Sequence, residues 1–279
     1  MLAEPSPAPA GALAPRSGFV ATDTGRLFYE EAGEGPVVVL IHDGLVHRET
    51  WDAQFATFAR RFHVLRYDRR GYGKSDVPTE PFSNVEDLAS VLAARGLRKA
   101  VLVGCSFGGS VAIDFTLEHP EVVEKLVLVG AVVRGLAPSA HCNDRGGHLP
   151  PDLAKDVTRA IAYWSTEDPY LLSPRSIEAR QRVKALLTAN PQNLRVPFQL
   201  LRGSSRVPPL GRLGEVRVPT LVIVGADDIP DVHAHAGAIQ AGIAGARRVV
   251  VPDAGHLVHM ERPEEFNRLV LDFLGSSAP

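Results

Sequence analysis

A chain of 279 residues with 45% hydrophobic content can bury one large core, or one core carrying an insertion. Its 30 basic and 32 acidic residues leave a net charge of −2 and form no basic stripe, so nucleic acid is not expected as a partner. Cys105 lies in an apolar run and Cys142 in a polar stretch, settings too different for a disulfide, and both are expected as free thiols.

Residues 1–17 are rich in Ala and Pro and lack both a charged leading region and a sustained apolar run. They read as a flexible leader rather than a signal peptide or membrane anchor, and the expected location is the cytoplasm. Residues 19–22 and 27–30 flank Asp23-Thr24-Gly25, a turn-forming trio that predicts an antiparallel hairpin. Short β-branched runs at 37–41, 64–67, 100–103 and 126–129 then predict buried parallel strands. Val85, Leu88, Val91 and Leu92 fall at helical spacing before Gly96, where a left-handed cap needs no Cβ. Further strands are expected at 220–224 and 249–251, and an amphipathic helix at 263–274. Between them, 132–216 carries helix-like stretches at 159–164 and 177–187 separated by Pro- and Gly-rich connections. The expectation is an α/β protein with a mostly parallel central sheet flanked by helices, its core formed by 18–131 and 217–279, with 132–216 inserted as a helical cap.

Chemistry concentrates at Val103-Gly104-Cys105-Ser106-Phe107-Gly108-Gly109, where a strand runs directly into a helix and Ser106 lies between glycines two residues away on each side. So tight a turn strains the serine backbone and exposes its hydroxyl, while the next helix turns unpaired amides toward it, that of Phe107 among them. A serine hydroxyl needs a base. Among ten histidines His256 is best placed, just past the last strand, while His259 three residues on would point elsewhere if the chain coils. The orienting carboxylate would come from the loop after 220–224, which offers Asp227 and Asp228, with Asp231 starting the next helix. Cys105 should point inward as packing. His141-Cys142 with His148, or His233 with His235, lack the paired spacing of structural zinc, so no metal and no cofactor are expected.

The order Ser106, Asp228, His256 around a parallel sheet resembles the α/β-hydrolase superfamily from Gly18 onward. The resemblance selects Asp228 through Gly225-x-x-Asp228, and His256 through Gly255-His256 followed by Glu261-Arg262-Pro263. Leu40-Ile41-His42-Asp43-Gly44 is similar to the family's His-Gly-x loop, which implies that the Gly44 amide is the second oxyanion donor beside Phe107. Asp43 stands where a glycine is usual, and its carboxylate would oppose negative charge there unless the side chain turns away. The segment Asp68-Arg69-Arg70-Gly71-Tyr72-Gly73-Lys74-Ser75 looks like a family motif that supports the site without reacting.

A serine rather than an aspartate at the elbow implies an acyl-enzyme route rather than the alkyl-enzyme ester of dehalogenases and epoxide hydrolases. Carboxylic esters are the default substrates, with lactones, carbon–carbon bonds in diketones, peracid formation and acyl transfer using the same residues. A non-catalytic binding protein on this fold is the alternative from another class. Tyr163, Trp164 and Phe198, with Tyr170, Leu171, Leu172 and Leu201, are the candidates for a small-molecule acyl or alcohol pocket. Membrane insertion is not expected, and homodimerisation stays open.

Overall fold

A computed structural model describes residues 15–145, 156–203 and 207–276. Its eight strands are β1 (Arg16–Thr22), β2 (Gly25–Ala32), β3 (Val37–Ile41), β4 (His63–Tyr67), β5 (Ala100–Cys105), β6 (Val123–Val129), β7 (Thr220–Gly225) and β8 (Arg247–Val251). They form one sheet in the order β1-β2-β4-β3-β5-β6-β7-β8. β1 and β2 pair antiparallel, β2 joins β4 antiparallel, and every other pairing is parallel. Of the expected leader, residues 1–14 lie outside the described residues, while Arg16 and Ser17 pair with Glu31 and Glu30, so the strand begins two residues earlier than the composition suggests.

The apolar runs are continuous because both faces of the sheet are covered. Val39, Ile41, Leu102, Leu126 and Val222 face one core with the helices Asn84–Ala94 and Phe107–Glu118; Val38, Leu40, Val103, Val127 and Ile223 face the other with the helices Asp52–Phe58 and Pro263–Gly275. The helices are α1 (Asp52–Phe58), α2 (Asn84–Ala94), α3 (Phe107–Glu118), the short α4 (Ala140–Asn143), α5 (Val157–Ala162), α6 (Ile177–Ala189), α7 (Pro230–Gly242), the short α8 (Val258–Glu261) and α9 (Pro263–Gly275). Ser83 caps α2 by accepting the Glu86 amide at 3.3 Å. The helix ends where Leu97 N–H reaches Leu92 C=O and Gly96 takes φ +69°, a Schellman closure. In α9, Phe266, Val270 and Phe273 make the buried stripe, and Lys125 of β6 donates to the Phe273, Leu274 and Ser276 carbonyls at its end.

Between β6 and β7 the chain runs through α4, α5 and α6 and returns by 3₁₀ turns at Pro191–Arg195, Phe198–Leu200 and Pro209–Glu215. α5 continues into one wide turn, Tyr163–Glu167, closed by Asp168 N–H to Tyr163 C=O at 2.9 Å.

Candidate active site

β5 is buried along its length and leads straight into Ser106, which takes φ 52° and ψ −117°. A side chain in this region costs about 1–3 kcal/mol, so the conformation has to be imposed by its surroundings. Ser106 N–H donates to Val129 C=O at 2.8 Å, and its own carbonyl accepts from Ser110 N–H at 3.1 Å. The neighbouring glycines are required by contact. A Cβ on Gly104 would lie 2.4 Å from Gly108 O, one on Gly108 2.4 Å from the carbonyl oxygens of both Ile41 and His42, and one on Gly109 2.4 Å from Ala131 Cβ. Helix α3 thus crosses the strand ends at backbone distance, with its first amide, that of Phe107, having no acceptor within the helix.

The loop after β3 is held by groups that the motif alone does not reveal. Buried His42 accepts Arg69 N–H at Nε2 (2.8 Å) and donates from Nδ1 to Asp43 C=O (2.8 Å), to which Arg69 Nη2 also donates (2.5 Å). A ring that accepts at one nitrogen and donates at the other is neutral, and burial pushes the His42 pKa well down, in agreement. Because a trans peptide sets its C=O and N–H in opposite directions, two donors on the Asp43 carbonyl turn the Gly44 N–H the other way. Gly44 lies against Phe107, a Cβ there standing 3.5 Å from the Phe107 Cβ, and Tyr72 Oη donates to the Gly44 carbonyl at 2.7 Å. Arg69, buried and without a carboxylate in ion-pairing reach among the described residues, places its guanidinium 4.8 Å from the ring centres of both Phe107 and Tyr72.

Asp43 folds back on its own loop. Its Oδ1 accepts the Leu45 and Val46 amides at 2.7 and 2.9 Å, while Oδ2 is buried with no hydrogen-bond partner among the described residues. Burial pushes its pKa up, against those two amides and the charges of His256 and Arg69. Apart from Arg69 and Tyr72, the adjoining Asp68-to-Ser75 segment ties neighbouring elements together. Asp68 accepts from Arg48 and Lys74, Arg70 pairs with Asp87, and Ser75 links Asp68 C=O to Phe28 N–H.

Asp228, buried in the loop after β7, accepts His256 Nδ1–H on Oδ2 at 2.8 Å and Ile229 N–H on Oδ1 at 2.7 Å. The bond fixes the tautomer and leaves Nε2 of His256 with its lone pair. Burial pulls the His256 pKa down, but the charge and hydrogen bond of Asp228 outweigh it and the net movement is upward. The other aspartates go elsewhere: Asp227 faces Arg175 at 3.6 Å, and Asp231 accepts both the amide and hydroxyl of Ser139 at 2.7 Å. His259 is fully buried, stacked on Trp51 at 3.9 Å and 2.8 Å from Thr50 Oγ1, with a pKa lowered to about 3 by burial. The serine turn and the histidine loop meet at the end of β6, since Ser106 is bonded to Val129 and a Cβ on Gly130 would stand 3.0 Å from His256 Nδ1.

The aromatic candidates between β6 and β7 divide. Phe198 is exposed and sits 5.8 Å from the Phe107 ring, and Trp164 is half-buried with the Arg145 guanidinium 5.3 Å from its ring. Tyr163 is buried with its hydroxyl on Asp168 at 3.0 Å, and Leu171 and Leu172 belong to the core. Leu201 and Phe107 instead line a cleft of about 210 Å³ with Ser110, Asp114 and Arg134. Burial raises the Cys105 pKa well above the thiol range, as suits packing. His148 lies outside the described residues, among which no cluster of three metal-binding side chains occurs. No helix of the described residues is long and apolar enough to cross a membrane.

Sequence reading missed His42, Arg145 and Asp168 and gave Arg69 only a supporting place. The first has a signal in the motif beside Gly44; the Arg145–Asp168 pair joins two irregular stretches and leaves none.

A family model described as the alpha/beta hydrolase family matches residues 38–269. The chain is 29% identical to the 2-hydroxy-6-oxo-6-phenylhexa-2,4-dienoate hydrolase of Comamonas testosteroni over 269 residues, covering 89% of this chain and 91% of that protein. It is 32% identical to the 2-hydroxy-6-oxononadienedioate/2-hydroxy-6-oxononatrienedioate hydrolase of Paraburkholderia phymatum, covering 90% and 91%. Among solved structures, Est816, described as an N-acyl homoserine lactone degrading enzyme, superposes with a TM-score of 0.74 at 27% identity, covering 92% of this chain and all of that one. With the sheet order, the strained Ser106 turn and the matched span all in agreement, this chain belongs to the alpha/beta hydrolase family.

Proposed function

We propose that the protein is a serine hydrolase of carboxylic esters or related acyl compounds, with Ser106 as nucleophile, His256 as base and Asp228 as its orienting acid. The observation that carries this reading is the 2.8 Å Asp228–His256 hydrogen bond at the strand end that also anchors the Ser106 turn. Ser106 Oγ attacks the carbonyl carbon as His256 Nε2 takes its proton, and Asp228 stabilises the imidazolium. The amides of Gly44 and Phe107 hold the oxyanion, the leaving group takes the proton from His256, and water activated by the same imidazole releases the acid. We assign 132–216 as the cap, with Trp164 and Phe198 toward substrate and Tyr163 supporting the cap from within.

A second reading, hydrolysis of a carbon–carbon bond beside a ketone, uses the same residues, and the names of the full-length relatives support it. The test is turnover of a graded series of p-nitrophenyl esters and of a 2-hydroxy-6-oxo-hexa-2,4-dienoate by the wild type and Ser106→Ala. Ester turnover that falls at least about 10³-fold in the variant supports the first reading. Turnover of the dienoate alone moves the assignment to the second, and equal activity of both proteins removes Ser106 as nucleophile.

A further inference from the structure

Asp168 has no part in the chemistry above, yet its fully buried carboxylate accepts five hydrogen bonds. Arg145 Nε and Nη2 grip it bidentately at 2.7 Å each, Tyr163 Oη donates at 3.0 Å, and the Tyr170 and Leu171 amides donate at 3.0 and 2.7 Å. The carbonyls of those same two residues accept His256 N–H, at 2.9 Å from Tyr170 and 3.1 Å from Leu171, and Leu171 C=O also accepts Leu257 N–H. The chain comes so near here that a Cβ on Gly255 would stand 2.5 Å from the Tyr170 carbonyl oxygen. A line of hydrogen bonds therefore runs from the Arg145–Asp168 pair, through the Tyr170-Leu171 backbone, to the backbone of His256. A buried ion pair is a costly way to tie two loops together, because apolar contact of similar volume does it as well.

We propose that Arg145 and Asp168 are a positioning pair for His256: Asp168 sets the place of the histidine loop through the Tyr170-Leu171 backbone, and by pairing with Arg145 it tempers the positive charge that faces the imidazole. The inference rests on His256 being the base. Among the described residues the charged and titratable groups on that side of the fold are Asp228 on Nδ1, Asp43 from the loop after β3, Arg145 with its partner Asp168, His259 in α8, and Glu261, whose carboxylate accepts the Gly255 amide. Of these Arg145 opposes the charged imidazole, whereas Asp228 and Asp43 favour it.

The pair predicts shifts of opposite sign. In Asp168→Asn the Arg145 charge is uncancelled, so the imidazole pKa and the acid limb of kcat/KM move down by about 0.5–1 pH unit. kcat falls about tenfold or more, with a smaller change in KM. In Arg145→Gln the charge that opposes the imidazolium is gone, so the imidazole pKa and the acid limb move up, while the double variant returns the limb toward the wild type without recovering kcat. The measurements are pH profiles on the best p-nitrophenyl ester and titration of the His256 ring by ¹⁵N NMR, assigned against His256→Gln, with circular dichroism to confirm folding. Limbs and ring pKa values that stay fixed, or move the same way in both single variants, overturn the proposal. The NMR titration decides this even for a protein without esterase activity, and unchanged turnover by His256→Gln is the separate result that removes His256 as base.

Discussion

At the scale of single residues, the departure at Asp43 is the informative one. Its carboxylate closes the turn onto Leu45 and Val46 and remains close enough to favour the protonated His256. Asp43→Asn keeps an acceptor for those amides and removes the charge. It is expected to leave the melting temperature within a few degrees and to lower the acid limb of kcat/KM, checked by calorimetry and a pH profile. In the wild type that limb should lie above the 6.5 of an ordinary histidine, since the His256 pKa is raised, and activity should fall as the pH drops through it. Arg69→Met keeps the packing against Phe107 and Tyr72 but frees one donor from the Asp43 carbonyl. If that carbonyl orients the Gly44 amide, kcat falls about 10-fold or more with KM little changed; a pure loss of stability with kcat intact would count against the clamp.

At the scale of elements, two glycines separate space from backbone conformation. Gly108 has an alanine Cβ's place already filled by the Ile41 and His42 carbonyls, so Gly108→Ala must push α3 off β3 and should abolish both ester turnover and the cooperative melt. Gly96 has open space around it and only a positive φ, so Gly96→Ala should cost about 1 kcal/mol by urea denaturation and leave kcat unchanged. Much of this was legible beforehand. The strands announce themselves through β-branched runs, α2 through its apolar spacing and Gly96, and the elbow through three glycines whose contacts explain them. What was not legible depends on where irregular chain comes to rest: that Asp43 turns inward, that Tyr163 spends its hydroxyl on Asp168, and that Arg145 and Asp168, on either side of α5, meet. Asp227, Asp228 and Asp231 all suit a turn or a helix start as residues, and it is the resemblance of Gly225-x-x-Asp228 to the family's acid loop that selects Asp228.

At the scale of the whole molecule, buried histidines couple folding to pH. His259 resists protonation down to about pH 3 in the fold but takes a proton near 6.5 once unfolded. Its contribution is present above pH 6.5 and lost progressively below it, about 2 kcal/mol between pH 6.5 and 5. Urea unfolding at pH 7 and pH 5 should show a smaller loss in His259→Phe than in the wild type; equal losses would mean the ring is accessible to protons in the native state. The backbone acceptors of the histidine loop come from Tyr170 and Leu171, far from His256 in sequence and inside the excursion between β6 and β7. That excursion is therefore not an exchangeable cassette. A graft from a relative that replaces all of it removes the backbone on which His256 is seated and is expected to abolish ester turnover, whereas one that keeps 163–172 and replaces the remainder leaves that seat in place and is expected to retain it.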